Sequence, residues 1–120
     1  SIKDLKLERI KTIESVVKQW ASSWSSKDVE AYISNYALEF KPSRGLTRNE
    51  WEKGRRKRLS NPTFIKITLS NMVVDLRGDG LAKVIFEQEY ASDTYRDKVN
   101  KEITLKMIEN KWLITRERVR

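Results

Sequence analysis

Neither cysteine nor histidine occurs anywhere in the chain, and each absence closes off chemistry. Without cysteine there is no disulfide, no thiolate nucleophile and no sulfur-based metal site. The same absence does not choose between cytoplasm and periplasm. Without histidine the commonest general base and the commonest transition-metal ligand are both missing. Any catalysis would rest on carboxylates, lysine, tyrosine or serine. No apolar run approaches the length of a membrane span, and no signal-peptide hydrophobic region stands at the start. Clustered oxygen ligands of the kind calcium or magnesium needs are not visible either, so neither metal nor cofactor is expected. The chain opens on Ser1 rather than methionine, which suggests an excised segment or a processed product.

What is present fits one domain. The 120 residues are 38% hydrophobic and 9% aromatic, enough for a core that needs no staple. The net charge is +8, from 25 basic and 17 acidic residues, and it is concentrated. Lys41, Arg44, Arg48, Lys53, Arg55, Arg56, Lys57 and Arg58 face only Glu50 and Glu52 over the same stretch. Such density attracts anions in general: phosphate, carboxylate, acidic glycan or lipid headgroup.

Periodicity divides the chain into helices followed by strands. Ile2, Leu5, Ile10, Ile13, Val17, Trp20 and Trp24 recur mostly at steps of three and four, which predicts one long amphipathic helix. Ser25 with Asp28 resembles a capping box for a second helix, from about Lys27 to Tyr36. Thr47 and Glu50 form a proper capping box for a third, Arg48 to about Ser60, which Asn61 and Pro62 stop. Beyond Pro62 the period is two. Ile65, Ile67 and Leu69 share a face, and the parity then shifts to Met72, Val74 and Leu76, as a bulge near Asn71 would cause. Arg77 to Gly80 reads as a hairpin turn. Ala82, Val84, Phe86, Gln88 and Tyr90 share the next face, and Val99, Lys101, Ile103, Leu105 and Met107 the one after. Glu109 and Asn110 then turn the chain into a last strand, Lys111 to Val119. Three helices followed by a meander of antiparallel strands mean an α+β fold.

A ladder of Trp20, Trp24, Asp28, Tyr32, Tyr36 and Phe40 repeats every four residues, and Gly45, Trp51, Arg55, Arg58, Phe86, Gln88, Tyr90, Ser92, Lys101, Trp112 and Glu117 follow. This distributed set resembles nuclear transport factor 2-like (ketosteroid isomerase-like, SnoaL-like) domains. The likeness is strongest to the C-terminal accessory domain of bacterial L,D-transpeptidase and L,D-carboxypeptidase envelope proteins. It implies a cone: a strongly bent antiparallel sheet with the three helices packed on its concave face and a pocket at the open end. It also implies a periplasmic or envelope location, an anionic small molecule or glycan (peptidoglycan) as partner, and a homodimer through the sheet.

Seven residues are candidate ligand contacts. Arg55 and Arg58 lie one turn after Trp51 and can share its face, offering bidentate bonds and stacking; as ordinary surface residues they would pack their stems over that ring. Gln88 and Lys101 each interrupt an apolar strand face, and a polar group there needs a partner from ligand or protein. Glu117 could be that partner for Lys101 if the last strand presents it inward. Tyr36 and Tyr90 could stack on sugar rings, whereas Trp20, Trp24 and Trp112 read as core.

The reading is therefore a non-catalytic binding module. Isomerase chemistry needs an inward carboxylate base, and Asp75, Asp79, Asp93 and Asp97 fall at turns or strand ends. Dehydratase relatives use a histidine–aspartate pair, which this chain lacks. A small enzyme of that kind and a basic nucleic-acid-binding module stand as the alternatives. The second has charge and aromatics but no recognised motif. Ser15 and Lys18 match a penicillin-interacting motif by coincidence, mid-helix and without partner motifs. Arg77 to Asp79 is hairpin chemistry rather than an adhesion tripeptide, and Pro62 disqualifies Asn61 as a glycosylation site.

Overall fold

A computed structural model describes the whole chain, Ser1–Arg120. Helix α1 spans Ile2–Ser25 and is opened by Ser1, whose hydroxyl accepts the Asp4 N–H at 3.2 Å. Only its second half is anchored: Ile13, Val17, Trp20, Ala21 and Trp24 are buried, while Ile2, Leu5 and Leu7 face solvent. Two bonds close the helix, Lys27 N–H to Trp24 C=O and Asp28 N–H to Ser23 C=O. With Lys27 at φ 59°, this is a Schellman end in which lysine occupies the position glycine usually takes. The side chain explains the choice, because the Lys27 ammonium bonds the carbonyls of Ser60 and Pro62 at the far end of the third helix.

The second helix is shorter than its sequence pattern suggests and starts elsewhere. Helix α2 is Val29–Ile33, capped by Asp28, whose carboxylate accepts the Ala31 N–H. Ser25 is not the cap; it still belongs to α1, and its hydroxyl accepts the Ile67 N–H at 2.9 Å. The helix ends before Tyr36 because the following backbone has another partner. Ala37 N–H bonds the Ile114 carbonyl at 2.9 Å, and Ile114 N–H bonds that of Asn35 at 2.8 Å. The segment is therefore laid along a sheet edge as an isolated parallel bridge. A single 3₁₀ turn, Ser43–Gly45, precedes α3, Arg48–Ser60, whose Thr47–Glu50 capping box is present in both directions.

Four strands, β1 (Ile65–Leu76), β2 (Leu81–Ser92), β3 (Arg96–Ile108) and β4 (Lys111–Val119), form an antiparallel sheet in sequence order. The inner rows are read from the register: Leu69 beside Gln88 beside Val99, and Phe86 beside Lys101 beside Val119. The bulge falls where the parity shift places it, between Ser70 and Val73, with Asn71 at φ 54°. A second register shift, between Thr104 and Leu105, has no counterpart in the pattern. Beyond it Met107 does not keep the buried face expected of it and lies exposed, its Cβ 3.3 Å from where a Cβ on Gly80 would stand. The helices cover the concave side of the bent sheet, around a core dominated by Trp20, Trp24, Tyr32, Phe86, Ile103, Leu105, Trp112 and Ile114. This is the α+β cone.

Candidate functional site

The open end of the cone holds a buried network, and it begins with the aromatic ladder. Trp20 Nε1 donates to the Tyr36 hydroxyl at 3.0 Å, and the Tyr32 hydroxyl lies 3.0 Å from the same oxygen. Tyr36 in turn donates to Glu117 Oε1 at 2.5 Å. With its own proton committed there, the Tyr36 oxygen accepts from both Trp20 and Tyr32. Glu117 does point inward from β4, and its other oxygen takes Lys101 Nζ at 2.6 Å. Lys101 and Glu117 are diagonal neighbours, since Lys101 pairs Val119 while Ile103 pairs Glu117. The ammonium also stands over the rings of Trp20 (5.7 Å) and Trp24 (5.3 Å).

The electrostatics follow from this geometry. Burial works to raise the Glu117 pKa, but the charge and hydrogen bond of Lys101, with the Tyr36 hydroxyl, outweigh it and hold the carboxyl below its ordinary value. Burial and then the Glu117 charge push Tyr36 well above the usual phenol range. Tyr32 is pushed up to about 12, by burial first. Near neutral pH Glu117 is thus a carboxylate and both phenols are neutral.

Helix α3 lies across this floor. Arg55 lays its guanidinium over Trp24 (5.0 Å) and Tyr32 (5.2 Å). Burial opposes its charge, but Tyr32, Tyr36 and Glu117 more than compensate, and its pKa is raised. Trp51 is packed between Tyr36 (4.5 Å) and Phe40 (4.8 Å). Two clefts open beside this helix. The arginine cleft, about 310 Å³, is walled by Arg44, Trp51, Arg55, Arg58 and Arg118, with Tyr32, Lys101 and Glu117 behind. The tyrosine cleft, about 550 Å³, is walled by Trp24, Arg55, Arg58, Gln88, Tyr90 and Tyr95. Arg55 and Arg58 belong to both.

Of the seven sequence candidates, the structure places Trp51, Arg55, Arg58 and Lys101 on the first cleft and Arg55, Arg58, Gln88 and Tyr90 on the second. Tyr36 lines neither; it is 3% exposed and holds the floor from behind. Lys101 reaches the cleft, but its charge is already matched by Glu117. Sequence reading did not single out Arg44, Tyr32, Tyr95 or Arg118. Tyr32 stood in the aromatic ladder, and Arg44 stood beside Gly45 in the loop. Arg44 adopts φ 62° and Gly45 φ 68°, a left-handed pair that turns the loop over the cleft mouth. Arg44, Arg55 and Arg58 have no carboxylate within ion-pairing distance, whereas Arg48 and Arg56 pair with Glu52, Arg56 also with Glu30, and Arg118 with Glu102.

Comparison with known proteins agrees with this architecture. Residues 12–118 match the family described as Cds6 C-terminal NTF2-like domain. A search of curated protein sequences finds no match. Among solved structures, Bd1075 of Bdellovibrio bacteriovorus is similar at a TM-score of 0.84 with 25% identity, over 93% of this chain and 40% of that one. The helical cell shape determining protein Pgp2 of Campylobacter jejuni is similar at 0.83 with 19% identity, over 91% and 40%. The chain thus spans two fifths of the length of these two proteins. A protein assigned as a dehydratase of the NTF2-like family, from Streptomyces avermitilis, is similar at 0.74 with 14% identity, over 90% and 92%.

Proposed function

The chain belongs to the family of Cds6 C-terminal NTF2-like domains, and from that premise we propose that it is a non-catalytic accessory module of a bacterial envelope protein. Its role is to bind an anionic cell-wall or glycan ligand and so hold a separate catalytic domain on peptidoglycan. The observation that carries this reading is the arginine cleft. Arg44, Arg55 and Arg58 line it; Arg55 shares the field of Glu117 behind it, while neither Arg44 nor Arg58 has a carboxylate within ion-pairing distance. Guanidinium groups left unmatched in a concave site favour a planar oxyanion, held bidentately.

Two further observations support binding over turnover. Glu117, the carboxylate on the cleft floor, is kept ionised by Lys101 and accepts a bond from Tyr36, so it is poorly placed to take a substrate proton. The phenols beside it are pushed away from neutral pH. The envelope assignment rests on the likeness to Pgp2, named for cell shape. Dehydratase assignments in the same fold make the enzyme reading the one to test against.

The experiment is titration of the chain with soluble sacculus fragments and, separately, with single-stranded DNA at low and moderate salt. Arg58→Ala and Arg44→Ala are each expected to weaken fragment binding by about 1.5–3 kcal/mol, roughly ten- to a hundredfold. Lys57→Ala, a change at an exposed position, should do little. Tight DNA binding that falls steeply with salt, with equal losses from Lys57 and Arg58, would overturn the reading in favour of a nucleic-acid module. Reproducible turnover of the fragments by the isolated chain would overturn its non-catalytic part.

A further inference from the structure

Two buried side-chain polar atoms have no hydrogen-bond partner, Arg55 Nε and Gln88 Oε1. Both side chains wall the tyrosine cleft. One atom is a donor and the other an acceptor. Gln88 is 4% exposed and sits mid-sheet between Leu69 and Val99. The buried network does not use either atom: Tyr36, Glu117 and Lys101 satisfy one another. The walls around them join the aromatic Trp24, Tyr90 and Tyr95 to the polar Asn61, Thr94 and Asp97. Tyr90 lies 5.8 Å from Trp24 and 6.1 Å from Tyr95. Leaving buried polar groups unpaired destabilises the free protein, which calls for an occupant that answers both.

The geometry points to a subsite for a neutral secondary amide, either the acetamido group of an amino sugar or a peptide bond. Its N–H donates to Gln88 Oε1, its carbonyl accepts from Arg55 Nε, and its flat face lies on the Tyr90 ring. An aliphatic group answers neither. The volume of about 550 Å³ leaves room for the ring or residue that carries the amide. This deepens the reading above and rests on it for the anionic end of the ligand, which the shared Arg55–Arg58 wall places in the neighbouring cleft.

Calorimetric titration with neutral probes isolates the subsite. Chitotriose and cellotriose differ in carrying acetamido or hydroxyl groups, and N-acetyl-alanyl-alanine amide supplies the peptide arm. At least one amide probe is expected to bind about tenfold or more tightly than cellotriose, and whichever binds better names the source. Gln88→Leu should abolish that preference and, by removing an orphaned acceptor, raise the Tm of the free chain; a glutamine with a purely structural role would lower it. Arg44 lines only the arginine cleft, so Arg44→Ala should leave the preference intact and remove the gain of N-acetylmuramic acid over N-acetylglucosamine. Equal binding of chitotriose, the peptide amide and cellotriose, a preference that survives Gln88→Leu, or no binding of any amide probe overturns the subsite. An intact preference with no gain from the muramic carboxylate keeps the subsite and removes the anionic reading instead.

Discussion

Lys101 and Glu117 show what one buried pair does for a site it backs. The two side chains are 8% and 17% exposed and 2.6 Å apart, so removing either partner strands a charge in the cone. Glu117→Leu or Lys101→Met alone is expected to cost about 3–5 kcal/mol, and the double variant much less than the sum, because an apolar pair has no charge to strand. Chemical denaturation of the four proteins measures this. The pH dependence has a definite sign. The folded pKa of Glu117 is depressed, so its contribution is fully present above the unfolded value of about 4.3 and is lost as pH falls through the lower folded one. The stability gap between wild type and Glu117→Leu should therefore hold from neutral to about pH 5 and close below pH 4. A gap unchanged at pH 3 would contradict the assignment. Lys101→Ala thus tests the fold, whereas Arg44 and Arg58 test the ligand.

At the scale of elements, local chemistry wins where nothing competes with it. The β3–β4 connection is a two-residue turn with Glu109 at φ 48° and Asn110 at φ 66°. Both dihedrals are left-handed, as a type I′ hairpin demands. Asparagine tolerates this well and glutamate poorly. Replacing the pair by Asn-Gly should stabilise the chain by about 0.5–1 kcal/mol, seen as a higher Tm with binding unchanged. The same logic explains what the sequence made legible. The capping box of α3, the bulge at Asn71 and the turns at Arg77–Gly80 and Glu109–Asn110 are short-range signals, and they were readable. The end of α2 was not, because it is decided by Ile114, far along the chain. Met107 shares the face of Ile103 and Leu105 but lies one residue from the end of β3, where it is exposed. Of the site, the polar interruptions at Gln88 and Lys101 were visible as broken alternation. Which of the two would be matched inside the protein depended on the inward parity of Glu117, and periodicity in a short last strand does not decide it.

Seen whole, the molecule is anisotropic, with extents of 48 × 28 × 24 Å. Much of the long dimension comes from α1, whose 24 residues make a rod of about 36 Å. Its first turns reach past the core; Arg9 finds only Asp79, an exposed contact at 3.7 Å that contributes little. Amides of residues 2–9 are expected to exchange with solvent far faster than those of 13–24, and hydrogen-exchange mass spectrometry measures the contrast. Equal protection along the helix would mean that the exposed turns are held by something other than their own hydrogen bonds. The anchored half of α1 and the span of α3 together leave Arg55 and Arg58 as a partition between two cavities. A partition made of side chains has only one position at a time. Whatever fixes those guanidinium groups from one side also sets the width and hydrogen-bonding face met from the other. Occupants of the two sides are therefore thermodynamically linked through a single coupling free energy, felt equally in both directions. Two weak half-ligands added together would report on each other without ever touching.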